Sequence, residues 1–322
     1  MSAYSPIHSL RLGHRRTGCI NSCCPRTHRP RETNALDACE ARVRHASNKR
    51  KYYDPLASTT HAAGRAAPMA NWLPVLPAQA AHPFAKKESN VSVTTRWIDI
   101  PAGKDSFGAY LALPKGGKGP GIVIIQEIFG VNGHIRDVVE QYALDGYVAI
   151  APDIFWRSAP RVELEYTGAD RDRGIELMKA TDFNLVVQDI AATADTLRKL
   201  PECTGKVAAI GYCLGGRLAY MAAGSGSVDA AVSYYGGGIH TQLDLADKIK
   251  QPILFHYGEL DHGIPLDQVG QVKERFAGRD NADVYIYPGA DHGFNCSVRA
   301  SYNQNASVLA HGRTLSFLAE HL

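Results

Sequence analysis

Residues 211–216 place a cysteine among glycines, in the pattern of a nucleophile held on a sharp turn between a strand and a helix. They read Gly-Tyr-Cys-Leu-Gly-Gly, with an apolar run before them and a helical pattern after them, which is the context that a nucleophile elbow requires. Glycines let the strand and the helix approach closely, and the positive end of a helix favours a thiolate. The alternatives are a structural cysteine or a phosphate-binding loop, but no Lys-Ser or Lys-Thr pair follows and Gly-x-Gly-x-x-Gly is absent. We therefore predict that Cys213 is a catalytic nucleophile.

An elbow of this kind implies an acid and a histidine farther along the chain, in that order. The strand pattern at 252–257 leads into a loop that contains Asp261, and the pattern at 283–287 leads into a loop that contains His292. We expect His292 to accept the thiol proton and later to protonate the leaving oxygen, while Asp261 fixes the tautomer of the imidazole. Three other residues are rivals for these two roles. His262 adjoins the acid, Asp291 adjoins the base, and His256 lies within a strand, where we expect it to be a packed residue.

An acidic residue directly after an apolar strand is the third candidate for chemistry. Glu127 follows the run at 121–125, where burial of a carboxylate is costly unless it is paired. A glutamate that is satisfied by backbone groups or by an arginine is the structural alternative. The next residue belongs to the same loop, so we expect the backbone N–H groups of Ile128 and Leu214 to form an oxyanion hole.

Strand and helix patterns alternate along residues 89–322. The runs at 91–100 and 107–114 alternate apolar and polar residues, which predicts an antiparallel hairpin with one wet face. The alternation that follows predicts one α/β domain with a mostly parallel sheet, covered by helices on both faces. The other predicted strands are 121–125, 147–151, 206–210, 230–234, 252–257 and 283–287. The predicted helices are 134–145, two within 170–200, 214–223, 266–276 and 301–322.

Residues 1–88 differ in composition from the rest of the chain. They carry fourteen Lys and Arg against five Asp and Glu, whereas the remaining residues carry 21 basic and 27 acidic side chains. Prolines interrupt every candidate element, and the apolar content is too low to offset the loss of chain entropy on folding. We expect a disordered basic extension that contains Cys and His and ends in a linker. A transit peptide, a nucleic-acid tail and a metal site are the alternatives, although the cysteines lack zinc spacing.

Composition also limits the location and the partners. The chain is 45% hydrophobic and 21% charged, which is ordinary for a globular protein. No run of eighteen or more apolar residues is present, so no membrane-spanning helix is predicted. Residues 1–88 lack the apolar stretch of a secretory signal. We therefore expect a cytoplasmic monomer or small homo-oligomer that acts on a small molecule and binds neither nucleic acid nor membranes.

Six motifs together resemble the dienelactone hydrolase (carboxymethylenebutenolidase) family over about residues 90–322. They are Glu127-Ile-Phe-Gly130, Pro152-Asp153, the elbow at 211–216, Tyr234-Tyr235-Gly236, Asp261-His262 and His292-Gly-Phe294. The resemblance implies the α/β-hydrolase fold and opening of a lactone ring, or cleavage of a small ester, through a thioester without metal or cofactor. The resemblance implies a catalytic triad of Cys213, Asp261 and His292. It further implies that Glu127 activates the thiol, and that the substrate is bound by Arg157, Phe129 and Tyr234.

One position departs from the family pattern. Enzymes of the family carry a second carboxylate-binding arginine four residues after the catalytic histidine, where this chain has Cys296. Loss of that anchor removes about 1.5–3 kcal/mol of charged hydrogen bonding, unless Arg299 reaches the same space. A carboxylated lactone is therefore only one of the candidate substrates. The alternative function is a thiol-based redox sensor or ligand-binding protein on the same fold, with Cys296 as the candidate resolving cysteine.

Overall fold

Eight strands and six helices alternate along residues 93–322, the part of the chain that this computed structural model describes. The predicted extension at 1–88 lies outside it, as do the first two residues of the strand predicted at 91–100. The strands are β1 (Thr94–Ala102), β2 (Asp105–Leu113), β3 (Gly119–Ile125), β4 (Val148–Pro152), β5 (Cys203–Tyr212), β6 (Ala230–Tyr234), β7 (Ile253–Gly258) and β8 (Ala282–Tyr287). The helices are α1 (Gly133–Leu144), α2 (Gly168–Ala180), α3 (Phe183–Lys199), α4 (Leu214–Ser225), α5 (Leu266–Arg275) and α6 (Gln304–His321).

The strands form one sheet in the order β1-β2-β4-β3-β5-β6-β7-β8. β2 pairs antiparallel with both β1 and β4, whereas every other neighbouring pair is parallel. The predicted hairpin and the predicted α/β-hydrolase fold are confirmed. Because parallel strands end at the same edge of a sheet, the loops after β3, β5, β6, β7 and β8 gather at that edge.

The central strands are apolar because helices cover both faces of the sheet. Ile122–Ile125 of β3 are completely buried, and each large apolar side chain contributes roughly 1.5–3 kcal/mol when it is buried. Helices α3 and α4 contact each other and pack on β3 and β5, while α1 packs on β2 and β4 and α6 on β6 and β7. His311 Nε2 of α6 lies 3.0 Å from Asp145 Oδ2 at the end of α1. This contact links the two helices.

Side-chain caps set helix boundaries that the hydrophobic pattern placed only roughly. Asn303 Oδ1 accepts from the Ala306 N–H at 3.0 Å, so α6 begins at residue 304 rather than at 301. Asp182 accepts from the Asn184 N–H at 2.8 Å and starts the second of the two helices predicted within 170–200. None of the helices in the described part of the chain is both long and apolar enough to cross a membrane. Two short 3₁₀ helices were not predicted: Ile239–Thr241 and Leu243–Asp247.

Candidate active site

Cys213 lies on the turn between β5 and α4, in a backbone conformation that is rare for a residue with a side chain. Its φ is 55° and its ψ is −113°, and such strain costs on the order of 1–3 kcal/mol. The Cys213 N–H donates to the Tyr234 carbonyl at 3.0 Å, so the neighbouring strand holds the turn in place. The partly exposed thiol therefore stands at the N-terminus of α4, where the elbow pattern predicts a nucleophile.

Two glycines allow the strand, the turn and the helix to meet. A Cβ atom on Gly211 would overlap the Gly215 carbonyl, and a Cβ atom on Gly215 would overlap the carbonyl at the end of β3. The close approach of Gly215 to the end of β3 brings the start of α4 against the loop that contains Ile128. The Leu214 N–H belongs to the first turn of the helix, where no helical acceptor is available. The two backbone segments predicted to form the oxyanion hole are therefore in contact, and the role of their N–H groups stays a prediction.

His292 and Asp261 form a close pair at the same edge of the sheet. His292 Nδ1 is 2.7 Å from Asp261 Oδ2, and the other carboxylate oxygen accepts from the N–H groups of Gly263 at 2.9 Å and Ile264 at 3.1 Å. Burial lowers the pKa of His292, but the charges and hydrogen bonds of Cys213 and Asp261 outweigh burial and raise that pKa well above its usual range. The site therefore stabilises a protonated imidazole beside the thiol, as transfer of a proton from sulfur to nitrogen requires.

The three rival residues occupy other environments. His256 is completely buried, its Nε2 lies 3.0 Å from Thr314 Oγ1, and burial lowers its pKa to about 3. The prediction that His256 is a packed strand residue is confirmed. His262 is exposed to solvent, and Asp291 Oδ1 accepts from the backbone N–H of His292 at 2.6 Å. Asp291 therefore stabilises the loop, whereas Asp261 contacts the imidazole.

Glu127 is completely buried beside this pair. Its Oε1 is 3.5 Å from Arg299 Nη1, and its Oε2 has no hydrogen-bond partner among the described residues. Burial raises the pKa of Glu127, and the positive charges of Arg299 and His292 and the hydroxyl of Tyr166 offset that rise only in part. The carboxyl group therefore exchanges its proton at a higher pH than an exposed glutamate does.

Arg299 provides the positive charge that the sequence left in doubt. A Cβ atom on Gly293, where φ is 75°, would overlap the Arg299 guanidinium, so the glycine after His292 makes room for it. The sequence left open whether Arg299 reaches this space, and the structure shows that it does, from a later position in the loop than the family's arginine. Cys296 is completely buried, and burial followed by the charge of Glu127 raises the pKa of its thiol to about 11. A buried, protonated thiol is a poor resolving cysteine.

Arg157 does not have the position that the resemblance implied. Its guanidinium forms a bidentate pair with Asp189 of α3, with Nη2 2.9 Å from Oδ1 and Nη1 on the other oxygen. It also lies 4.3 Å from the centre of a Trp156 ring, whose Nε1 donates to the same carboxylate at 3.0 Å. The Asp189 side chain is 3% exposed. A buried aspartate fills the guanidinium fork, which argues against the substrate-binding role of Arg157, and that role stays a prediction.

Tyr234 faces the core rather than the site. It is completely buried, and its hydroxyl lies 2.7 Å from Thr314 Oγ1 of α6, so its predicted contact with substrate is corrected. The next residue, Tyr235, has its ring centroid 5.2 Å from that of His292 and a φ of 38°. Its buried hydroxyl has no partner among residues 93–322. The signal that could have found Tyr235 is its place as the first residue after β6, at the edge where the loops gather.

Phe129 supports a neighbouring tyrosine and offers little surface to a substrate. It is 4% exposed, and its ring centroid is 4.5 Å from that of Tyr166. Tyr166 lies in the loop between β4 and α2, and its half-buried ring also lies 5.6 Å from the Arg299 guanidinium carbon. No motif marks Tyr166, and it is many residues from any strand end, so no sequence signal points to its place beside the Arg299 guanidinium.

The sheet order, the strained cysteine elbow and the histidine–aspartate pair define an α/β-hydrolase. A model of the dienelactone hydrolase family matches residues 107–322. The chain is 39% identical over 215 residues to the carboxymethylenebutenolidase of Pseudomonas putida, which covers 66% of this chain and 91% of that protein. It is 36% identical over 214 residues to carboxymethylenebutenolidase 1 of Cupriavidus pinatubonensis, with coverage of 66% and 91%. A crystal structure from Klebsiella pneumoniae, described as a dienelactone hydrolase, matches with a TM-score of 0.65 and 29% identity over 71% of this chain and 100% of that one. The chain therefore belongs to the dienelactone hydrolase family, and it is a carboxylic ester hydrolase.

Proposed function

We propose that the protein hydrolyses lactones or small esters through a thioester intermediate on Cys213. The observation that carries the proposal is the 2.7 Å pair of His292 and Asp261 at the edge where the strained cysteine stands. Because Asp261 engages Nδ1, the imidazole Nε2 is the nitrogen available to the thiol. Nucleophile, base and orienting acid then have the arrangement that acyl transfer needs.

The proposed reaction consists of two acyl transfers. In the first, the thiol proton passes to His292, the sulfur–carbon bond forms, and the ester carbon–oxygen bond breaks as the leaving oxygen takes the proton. In the second, water gives a proton to His292 and attacks the thioester, which releases the carboxylic acid and returns a proton to sulfur. The N–H groups of Ile128 and Leu214 stabilise the negative oxygen in both steps.

Arg299 and Glu127 favour a substrate that carries a carboxylate. Their contact of 3.5 Å is long, and one oxygen of Glu127 has no partner among the described residues. A substrate carboxylate would compete for the guanidinium, and Glu127 would then move toward the thiol and carry its proton to His292, which gives it to the leaving oxygen. The name of the relatives, carboxymethylenebutenolidase, denotes a lactone of this carboxylated kind.

A panel of lactones and esters, assayed with and without iodoacetamide, tests the proposed activity. We expect alkylation of Cys213 to abolish hydrolysis, with the modified residue located by peptide mass spectrometry. Cys203, which is also partly exposed, provides the matched control: Cys203→Ser should keep both the activity and its sensitivity to iodoacetamide. Full activity after stoichiometric alkylation of Cys213 would refute the thioester mechanism.

A paired comparison of two arginines tests the substrate class. We expect Arg299→Ala to raise KM for a carboxylated lactone by about 10- to 100-fold while it spares a neutral ester, since a charged hydrogen bond contributes about 1.5–3 kcal/mol. Arg157→Ala should leave both KM values within about twofold, because its partner is Asp189. Equal losses on both substrates in Arg299→Ala would remove the support for an anionic substrate.

The proposed chemistry uses no metal ion. In the part of the chain that the structure describes, no three His, Cys, Asp or Glu side chains are grouped as metal ligands. The prediction that no metal is required stays open to experiment. Dialysis against a chelator should leave turnover unchanged, and activity that disappears and returns with zinc would overturn the prediction.

A further inference from the structure

The loop that follows His292 is held by backbone hydrogen bonds in two consecutive turns. The Cys296 N–H donates to the Gly293 carbonyl at 2.9 Å, and the Arg299 N–H donates to the Cys296 carbonyl at 3.1 Å. The Asn303 N–H donates to a carbonyl near the start of the loop, that of Phe294, at 3.0 Å. Because the main chain is held at these points, the long side chains are the parts of the loop that move most easily.

The Arg299 guanidinium lies against the backbone of Gly293. A Cβ atom on Gly293 would lie 2.7 Å from the guanidinium carbon, well below the roughly 3.5–4.0 Å at which carbon atoms pack. The centre of the Tyr166 ring lies 5.6 Å from the same guanidinium carbon. The guanidinium therefore occupies a space that is open only while residue 293 has no side chain.

Arg299 has N–H groups left for a ligand. In the described part of the chain its guanidinium has a single hydrogen-bond acceptor, Glu127 Oε1, at the long distance of 3.5 Å, although a guanidinium carries several donors. Both arms of the Arg157 fork, by contrast, are engaged by Asp189. The Arg299 side chain is 23% exposed, so the remaining donors are accessible to an anion.

We propose that Gly293 is a positioning residue for Arg299 and thereby determines the preference of the site for carboxylated substrates. A side chain at position 293 displaces the guanidinium from the substrate carboxylate and leaves the nucleophile and the base in place. The three atoms nearest to a Cβ on Gly293 all belong to the end of the flexible Arg299 side chain, so we expect that side chain to move rather than the loop. This inference rests on the proposed function, in which Arg299 binds the carboxylate.

The kinetics of Gly293→Ala on a carboxylated lactone and a neutral ester test the inference. We expect KM for the carboxylated lactone to rise by about tenfold, the lower end of the change that loss of a charged hydrogen bond produces. For the neutral ester, kcat and KM should stay within about threefold of wild type. A glycine that served only the chain conformation would lower the Tm or the kcat on both substrates, and would leave the ratio of the two KM values unchanged.

Gly289, in the same loop, provides the matched control. Its φ of 68° is close to the 75° of Gly293, but no atom lies within 4 Å of a Cβ placed on Gly289. Gly289→Ala therefore imposes a similar backbone strain without displacing an arginine. We expect it to leave the ratio of the two KM values unchanged.

A double-mutant cycle shows whether the effect passes through Arg299. Arg299→Ala leaves no guanidinium to displace, so the addition of Gly293→Ala should change KM for the carboxylated lactone by less than about twofold. A further rise of about tenfold in that background would show that Gly293 acts by another route, and would overturn the inference.

A second substitution carries the test if Gly293→Ala fails to fold. Asparagine adopts a positive φ more readily than most residues with a side chain, so Gly293→Asn introduces the Cβ atom with less strain and should change the KM ratio in the same direction. If both variants unfolded while Gly289→Ala stayed folded, the loop rather than the arginine would have given way. That outcome would also overturn the inference.

The two proposals fail in distinguishable ways. Equal losses on both substrates in Arg299→Ala would refute the anionic substrate, and the inference on Gly293 would fall with it. A change of the KM ratio that appears in Arg299→Ala but not in Gly293→Ala would refute the inference alone. An equal change in Gly289→Ala would assign the effect to backbone strain, and the role of Gly293 would be refuted in that case too.

Discussion

Two histidines near the same end of the sheet, the buried His256 and the partly exposed His292, have opposite acid–base properties. His256 lies in β7 and His292 in the loop after β8, and burial lowers the pKa of both. The neighbours of His256 include the neutral hydroxyl of Thr314 at 3.0 Å, and its pKa falls to about 3. His292 contacts the carboxylate of Asp261 and the sulfur of Cys213, and interactions with these two groups outweigh burial and raise its pKa well above the usual range.

The charge of the partners, rather than burial, therefore separates the two regions. We call the first region the catalytic edge, which consists of Glu127, Cys213, Asp261 and His292. We call the second the hydroxyl core, which consists of Tyr234, His256, Tyr287 and Thr314. In the hydroxyl core, Tyr287 Oη is 2.8 Å from His256 Nδ1, so both nitrogens of that neutral ring are satisfied without any ion. In the proposed mechanism, Cys213 and His292 of the catalytic edge change charge, whereas the groups of the hydroxyl core stay neutral.

Cys213→Ala removes the proposed nucleophile of the catalytic edge, and we expect the largest effect from it. Turnover of the best lactone should fall by about 10⁴-fold or more, as for loss of a catalytic nucleophile. Cys213→Ser should be poor rather than inactive, since a hydroxyl is harder to deprotonate than a thiol at the same position. Steady-state kinetics and circular dichroism check both variants. Wild-type turnover in a folded Cys213→Ala would contradict the proposed nucleophile, and His292 would then have no catalytic role to distinguish it from His256.

Asp261→Asn gives His292 a neutral hydrogen-bond partner in place of a carboxylate. The surroundings of His292 then resemble those of His256, whose partners are neutral hydroxyl groups. We expect kcat to fall by about 10²- to 10⁴-fold, and the pKa of His292 to fall, since a stabilising negative charge is removed. Titration of the imidazole by NMR measures the second effect. Asp291→Asn is the matched control, because that carboxylate bonds only to backbone N–H at His292, and its loss should cost less than about tenfold. Similar losses in both variants would contradict the assignment of Asp261.

The parts of the site that the sequence predicted well are those set by local chain geometry. The glycine spacing requires the turn at Cys213, and parallel strands must deliver Asp261 and His292 to one edge of the sheet. Pairing across the fold carries no such local signal. Arg157 bonds Asp189 only because α3 packs beside the loop after β4, and this contact argues against the substrate-binding role that the resemblance implied.

The correction at Tyr234 follows from a difference of one residue along the chain. Successive residues at the end of a strand point to opposite sides, so Tyr234 enters the hydroxyl core while Tyr235 lies against His292. The motif contains both tyrosines, and its letters do not say which one faces the site. Arg299 contacts Glu127 although it does not occupy the position of the family's arginine, because Gly293 leaves space for its guanidinium. This space depends on the conformation of the loop, which the sequence alone does not show.

His256→Gln tests the neutral state of the hydroxyl core through stability. The folded protein keeps His256 neutral down to about pH 3, whereas the unfolded chain binds a proton below about pH 6.5. Stability is therefore lost as the pH falls below 6.5, by about 2 kcal/mol at pH 5. Urea unfolding between pH 7 and pH 5 should show a smaller loss in His256→Gln by about that amount. The exposed His262→Gln should follow the wild type, and parallel curves for wild type and His256→Gln would contradict the lowered pKa.

Tyr234→Phe should have the smallest effect, and it separates the hydroxyl core from the substrate site. The variant loses the hydrogen bond between the tyrosine hydroxyl and Thr314, 2.7 Å long in the wild type, and leaves a buried threonine with one partner fewer. We expect the free energy of unfolding to fall by about 1 kcal/mol, with KM and kcat for every substrate within about twofold of wild type. The matched variant, Tyr235→Phe, removes the hydroxyl beside His292, which has no partner in the described part of the chain, so its effect should appear in kinetics rather than in stability. Parallel urea titrations and Michaelis–Menten curves for the two variants give the answer. If Tyr234→Phe raised KM and Tyr235→Phe did not, the substrate would contact the tyrosine that the structure places in the core, and the division of the molecule into these two regions would be wrong.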